Sequence, residues 1–407
     1  MSPETARLGE VASFIRGITF KPGDVAPRGV DGSVWCLRTK NVQAELDLSD
    51  VWAIDASFVK RSEQYLQAGD LLVSSANSWN LIGKCSWVPE LESDATFGGF
   101  VTALRGNSQL VDRRYLYHWF SSSRTQAVVR SFSRQTTNIA NLDLRRCAEL
   151  AIPLPPLAQQ KRIAAVLDAV DALRAKRREA IALLEDLAQS IFLDMFGDPA
   201  RNPLGWPVGK VGDLLISANY GSSAKADMEG DIPVLRMNNV TASGEIDMRD
   251  LKYLPKEQVS EKYLVRAGDV LFNRTNSAEL VGKAAIYRLA EEVAYAGYLV
   301  RLRVSEENNP EYLAAFLNSR YAKRVLRLMS KSIVGMANIN AKEVQGMKIL
   351  IPPLAEQKRF AAAITQVEAA KEPHRAHLAT LGELFTSLQH RAFSGTLWDH
   401  EALGEAA

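Results

Sequence analysis

Cysteine is nearly absent. Cys36, Cys85 and Cys147 are the only three in 407 residues, odd in number and far apart. No CxxC pair occurs, which argues against zinc ribbons and disulfide frameworks and fits a reducing compartment. Long apolar runs are missing too. None approaches the roughly 20 residues that span a bilayer, and residues 1–30 carry no signal-peptide core. No membrane association is expected, and the expected location is the cytoplasm. An excess of one charge is also lacking. Lys+Arg is 49 against Asp+Glu 47, a net charge of +2. That excludes a globally basic nucleic-acid coat and leaves room for a local basic face.

Catalytic signatures are absent as well. There is no GxGxxG, and both Pro-Pro pairs introduce helical segments, so a methyltransferase site is not expected. Gly-Lys at 83, 209 and 282 is never followed by Ser or Thr, so no phosphate loop is present. Asp250-Leu251-Lys252 has the end of a metal-nuclease motif, but no Pro-Asp dipeptide exists to begin one. His374 and His377 lack a matching ligand set for a metal. No GxSxG elbow occurs. The chain reads as a binding protein that performs no chemistry itself. Its composition, 47% hydrophobic and 24% charged, is that of an ordinary globular protein of two or three domains.

What the chain has is an internal repeat. PPLAQQKR at Pro155–Arg162 returns as PPLAEQKR at Pro352–Arg359. Ala68-Gly69-Asp70 returns as Ala267-Gly268-Asp269, Asn77-Ser78 as Asn276-Ser277, and Gly83-Lys84 as Gly282-Lys283. Leu37-Arg38, Asn41-Val42, Gly99-Phe100 and Tyr115-Leu116 have collinear partners at Leu235-Arg236, Asn239-Val240, Gly297-Tyr298 and Tyr312-Leu313. This is domain duplication, with halves near 1–200 and 201–407.

Each half opens with short β-branched or aromatic runs broken by Gly, Asn, Asp and Ser, such as Leu71–Val73, Phe100–Leu104 and Ala284–Tyr287. These predict strands. One amphipathic helix is expected late in each, over Tyr115–Arg130 and Tyr312–Met329. A long helix follows each Pro-Pro pair. The first places Ile163, Val166, Val170, Leu173, Ala180, Leu184, Leu187 and Ile191 on a seam. The second places Phe360, Ile364, Val367, His374, Leu378, Leu381, Phe385 and Leu388 on one. Arg177 and Lys371 fill the gaps. Coiled-coil seams must be buried on a partner helix, and the simplest pairing is antiparallel within the chain. Pro373 predicts a kink or break near Glu372.

The expected fold class is therefore mixed α+β (α/β): two duplicated globular domains joined by an antiparallel coiled coil with a pseudo-two-fold axis. The boundaries expected are 1–152 for the first domain, 153–198 for the first helix, 199–350 for the second domain, and 351–407 for the second helix and tail.

Global neutrality hides local bias. Residues 121–141 hold Arg124, Arg130 and Arg134 and no acid. Residues 318–342 hold Arg320, Lys323, Arg324, Arg327, Lys331 and Lys342 and no acid. A polar loop follows each patch, with Gln135, Thr137, Asn138 and Asn141 in the first and Ser332, Asn338 and Asn340 in the second. Lys and Arg suit phosphates, and amides and hydroxyls suit base edges. Further candidates are Asn77, Trp79 and Lys84 with Arg274, Asn276 and Lys283, and then Arg38 and Lys40 with Arg236 and Asn238. Asn77 and Asn276 fit equally well as Asx-turn residues, and Trp79 fits either a base contact or loop packing.

The doubled PPLAxQKR-helix layout, with the AGD…NS…GK series before each copy, resembles the DNA specificity subunit of type I restriction–modification systems. The resemblance covers essentially the whole chain. It implies a non-enzymatic targeting subunit for double-stranded DNA, in which each globular part is a target recognition domain for one half of a split site. The helices, a rod of about 54 Å at 1.5 Å per residue, would set a gap of about six base pairs, given 34–36 Å per DNA turn. It also implies docking of two modification subunits that carry S-adenosylmethionine, and of restriction subunits that use ATP and Mg. No cofactor is expected on this chain. The alternative is a coiled-coil adaptor whose globular parts bind RNA or peptides.

Overall fold

A computed structural model describes residues 4–27, 29–135, 139–277, 280–333 and 336–397. The chain divides into two units. The first combines Met1–Lys176 with Leu378–Ala407, and the second is Arg177–His377. Each long helix gives one half to each unit.

In the first unit the predicted strands form, with Leu71–Ser74 and Val101–Gly106 fully paired. They are the inner pair of a four-stranded antiparallel sheet, flanked by Ala12–Arg16 and Cys85–Trp87. A second four-stranded sheet runs Val25–Ala26, Trp52–Asp55, Ser33–Leu37, Ala95–Phe97. Its last pair is parallel. A small third sheet joins Ser133–Gln135, Ala140–Leu142 and Ala76–Asn77.

The second unit repeats this plan. Leu215–Tyr220, Leu299–Val304, Val270–Asn273 and Ala284–Ile286 form its first sheet. Ile232–Leu235 pairs in parallel with Val293–Tyr295 in the second. Thr275–Asn276, Met336–Asn338 and Lys331–Ile333 form the small third one.

The helices before the basic loops differ from expectation. Each predicted single helix is two: Arg113–Phe120 with Ser123–Ser131, and Pro310–Asn318 with Arg320–Met329. A serine causes each break. The Ser122 side chain accepts from the Thr125 N–H and that of Ser319 from the Ala322 N–H. Each serine thereby caps a new helix where an apolar pattern alone predicts continuation.

The long helices are Leu157–Phe196 and Leu354–Ser394. In the first unit the start of one meets the end of the other: Ile163, Ala164 and Leu167 share a core with Ala392, Leu397 and Phe385. In the second unit Phe192 and Phe196 pack on Phe360 and Ile364, with Tyr312 stacked 5.8 Å from Phe192. The pairing is thus antiparallel in both units. On the second helix Phe360, Ile364, Val367 and Lys371 are buried, and Leu378, Leu381 and Leu388 are half-buried.

The first helix departs from its expected seam. Leu173 and Leu187 are each 45% exposed, while Leu167, Phe192 and Phe196 are buried. Val166, Ala180 and Leu184 are half-buried. Ile163 and Val170, both on the expected seam, are buried, and beyond them the inward stripe drifts off the strict three-four alternation, as a 3.6-residue turn does. Arg177 Nη1 stands 3.4 Å from His374 Nδ1, so the gap residue of the first helix meets the seam histidine of the second.

No break occurs at Pro373, and the second helix runs through it. Proline removes one backbone donor and crowds the preceding turn. Anchors on both sides hold the helix there. Lys371, 3% exposed, contacts Glu368 at 2.6 Å and Glu245 at 3.2 Å. Arg375 pairs with Glu245 and Glu368.

Candidate nucleic-acid interface

The repeated sequence motifs turn out to be fold locks. Gln160 and Gln357, from the two PPLAxQKR copies, are both buried. The Gln160 side-chain carbonyl accepts from the Asp112 N–H at 2.8 Å, and its amide donates to Pro155 O at 2.8 Å. Gln357 makes the same pair with the Asn309 N–H and Pro352 O, also at 2.8 Å. Each glutamine ties the start of a long helix to the globular part before it. The AGD aspartates are buried as well. Asp70 receives two bonds from Arg105 at 2.8 and 2.7 Å, and Asp269 two from Arg303 at 2.8 Å. Tyr115 and Tyr312 each donate their hydroxyl to the backbone, to Pro153 O and Leu350 O.

In the Gly-Lys pairs, Gly83 and Gly282 have φ of +78° and +82°. An added Cβ would come within 2.8 Å of Val129 and of Leu326 respectively. These glycines therefore let the turn lie against a helix.

Several predicted contact residues are held by their own unit. Arg38 donates to Asp50 O at 3.0 Å, pairs with its carboxylate at 3.1 Å and stacks 3.8 Å over the Trp52 ring. Lys40 contacts Asp50 at 2.7 Å. Arg236 and Asn238 both reach Asp250, at 3.1 and 2.9 Å. Lys84 donates to Gln43 Oε1 at 2.6 Å, and Lys283 to Met237 O at 3.3 Å. Asn340 caps helix Ala341–Gln345 by accepting from the Glu343 N–H. The Asn77 and Asn276 carbonyls accept from the next residue's N–H at 2.8 and 2.9 Å, the local bonding of turn residues. Lys323, inside the second basic run, donates inward to Gly282 O at 2.7 Å and Asn318 Oδ1 at 2.9 Å. Burial, then Lys283 and Arg327 nearby, push its ammonium down to about 8.

Other candidates converge. The small third sheet joins the Asn-rich turn and the polar loop, which lie some 60 residues apart in sequence. In the first unit Arg134 pairs with Asn141 and Asn141 with Ala76, so they share one sheet face. Asn141 is exposed, and Arg134, 87% exposed at its side chain, keeps only a 3.8 Å ion pair with Asp143. In the second unit Asn338 pairs with Thr275 and Lys331. The Asn338 carbonyl accepts from Arg274 at 3.0 Å, and Arg274 lies 4.9 Å over the Tyr220 ring.

Arg130 is half-buried and Arg327 exposed on the helices leading into these sheets. Trp79 is 42% exposed beyond the Asn-rich turn. Thr137 and Asn138 lie outside the described residues. Gln135, Lys331 and Ser332 are placed in strands by their backbones. The repeat pair Phe100 and Tyr298 served in the sequence only as a marker of duplication. Both stand exposed beside these sheets, at 64% and 54%.

An asparagine on the central strand of a small sheet, with a cationic residue on the strand beside it, offers donors and acceptors to base edges and positive charge to phosphates. Two repeat-related units, each with such a strip and sharing a pair of long helices, define a protein built for recognition in two parts. The chain belongs to the type I restriction–modification DNA specificity family. The match to "Type I restriction modification DNA specificity domain" covers residues 3–183 and 203–381, one copy per half.

The chain is similar to the EcoKI specificity subunit of Escherichia coli (strain K12), 27% identical over 96% of this chain and 88% of that one. It is also similar to the StySPI specificity subunit of Salmonella potsdam, 25% identical over 97% and 89%. The fold resembles the type I restriction–modification S subunit from M. genitalium, with a TM-score of 0.51 at 13% identity over 97% of this chain and 99% of that one. The family assignment supports DNA recognition and gives the RNA- or peptide-adaptor alternative no support.

Proposed function

We propose that this chain is the targeting subunit of a type I modification and restriction complex, and that each unit reads one half of a split double-stranded DNA site. The observation that carries this is the duplicated strip, Arg134 with Asn141 and Lys331 with Asn338, at equivalent places in the third sheets. Arg134 holds a phosphate and the asparagines read base edges.

The chain does no chemistry in this reading. Two modification subunits supply S-adenosylmethionine-dependent adenine methylation and flip the target base. Restriction subunits supply ATP- and Mg-dependent translocation and cleavage. The long helices, 40 and 41 residues, are about 60 Å each. They set a gap of about six base pairs between half-sites. No helix among the described residues is long and apolar enough to cross a membrane, and the complex works on DNA in the cytoplasm.

A base-modification map of the host genome, with and without this gene, tests the reading. One split motif should lose its N6-methyladenine on deletion. An unchanged map, together with no duplex binding by the purified complex, would refute it. Asn141→Ala should weaken binding to the first half-site by about 1–3 kcal/mol, the worth of a good base contact. Deleting one heptad from both helices should shorten the gap.

A further inference from the structure

Phe100 and Tyr298 occupy one position of the repeat, immediately before the equivalent strands Val101–Gly106 and Leu299–Val304. Apolar rings of this size are usually covered, yet both are more than half exposed. Neither sits on a loose loop. Val101 N–H donates to Gly98 O and Leu299 N–H to Ala296 O, each at 2.9 Å, closing the same turn. Phe100 O accepts from the Ser75 and Ala76 N–H groups at 3.0 and 3.1 Å, and Tyr298 O from the Arg274 N–H at 3.1 Å. Ala76 pairs with Asn141, and Arg274 bonds Asn338. The backbone that carries each ring is therefore fixed at the border of its polar strip.

The surroundings of the rings differ. A cavity of about 560 Å³ opens beside Phe100, lined by Phe20, Trp52, Arg38 and the 98–99 turn. The Phe20 and Trp52 rings meet edge to face at 6.0 Å. Arg38 is already neutralised by Asp50, so the cavity presents mainly apolar surface. In the second unit the repeat puts Lys252 where Trp52 stands, since they lie opposite Val234 and Cys36 respectively. Ala224 replaces Phe20, two residues beyond equivalent bridges at Ser222 and Ile18. The apolar cavity thus belongs to the first unit's surface.

We propose that Phe100 and Tyr298 are base-contacting residues, and that Phe100 with its cavity selects a thymine in the first unit's half-site. The proposal rests on the DNA reading above. The C5-methyl of thymine is the one apolar group that standard base pairs display in the major groove. An aromatic ring on a held backbone beside an apolar cavity complements it, and Arg134 and Asn141 serve the neighbouring phosphate and base edge. Beside Tyr298 the two lining rings are replaced by Lys252 and Ala224, and the side chain adds a hydroxyl able to bond a base edge.

The test uses the full chain assembled with its modification subunits, and duplexes carrying the genomic site. Affinity is measured for wild type, Phe100→Ala, Tyr298→Phe and Tyr298→Ala, with melting curves as the control for folding. Each thymine in the first unit's half-site is replaced in turn by uracil, which removes only the methyl. Wild type should lose roughly fivefold at one position, about 1 kcal/mol. Phe100→Ala should lose affinity for the thymine duplex and no longer distinguish uracil. Tyr298→Phe should alter only the other half-site.

Equal binding by wild type and Phe100→Ala overturns the proposal, as does a first half-site without thymine. So does a Phe100→Ala loss that is the same for thymine and uracil duplexes, with 2-aminopurine at that step brightening in the wild-type complex. The ring would then stack on a base face. A wild-type complex that binds no specific duplex overturns both this proposal and the DNA reading beneath it.

Discussion

Gln160 in the first unit and Gln357 in the second make matching bonds to a backbone N–H and a proline carbonyl. Trp52 and Lys252, at one equivalent strand position, have no chemistry in common. The same division runs through both units. Asp70 and Asp269, Tyr115 and Tyr312, Gly83 and Gly282 repeat residue and contact together. Beside the third sheets the cation and the asparagine recur, as Arg134 with Asn141 and Lys331 with Asn338, while flanking positions diverge, Trp52 against Lys252 and Phe20 against Ala224. Duplication has kept what closes each core and has let the surroundings of each strip vary. On the function proposed above, such a pair suits two half-sites of different sequence.

That comparison can be broken first at the buried carboxylates. Asp70→Ala strands Arg105 and Asp269→Ala strands Arg303, with Arg301 also 3.9 Å from Asp269. Removing one partner of a buried pair costs about 3–5 kcal/mol. Calorimetry should show each variant lowering the stability of its own unit. If one unit tolerates the change, the two are not held alike.

Gln160→Ala and Gln357→Ala come next. Each leaves a backbone N–H unpaired and should cost about 1–3 kcal/mol. The two losses should agree to within about 1 kcal/mol when measured by urea unfolding.

A third test uses a contact that only the first unit has. His118, fully buried, meets Asp168 at 2.7 Å, and Arg114 pairs with the same carboxylate. The repeat places Thr365 opposite Asp168. Burial raises the Asp168 pKa, but the His118 and Arg114 hydrogen bonds outweigh it and bring the carboxyl down to about 2. A depressed folded-state pKa gives stability that is present above about pH 4 and lost as pH falls towards 2. With the side chain 36% exposed, solvent screening reduces this to about 1 kcal/mol. Acid titration should therefore destabilise the first unit selectively, and Asp168→Asn should abolish that selectivity.

The smallest effect is expected at Arg134. Its Ala variant should reduce the salt dependence of DNA binding by about one counterion, with stability unchanged within about 0.5 kcal/mol. A loss confined to particular bases would show that Arg134 reads sequence rather than phosphate.

The duplication, the strand-rich halves and the antiparallel long helices were legible in the sequence, because collinear motifs and apolar spacing encode them directly. The second helix's seam was legible to the residue. The first was legible at Ile163 and Val170 but not further on, because Leu173 and Leu187 satisfy the heptad spacing while Phe192 and Phe196 turn inward. The serine breaks at 122 and 319 were hidden in continuous apolar patterns. For the candidate interface, residue type alone could not tell Arg38 and Arg236, neutralised by Asp50 and Asp250, from Arg134, which projects outward. The aspartates lie 12 and 14 residues further along the chain, and only the fold brings them back.

The first unit is assembled from both ends of the chain, Met1–Lys176 and Leu378–Ala407, around an uninterrupted second unit. During synthesis at roughly 5–20 residues per second, the second unit therefore leaves the ribosome whole while the first still awaits Phe385, Ala392 and Leu397. The domain begun first is the last to close. A chain ending near residue 378 would hold every residue of the second unit and lack those that close the first core.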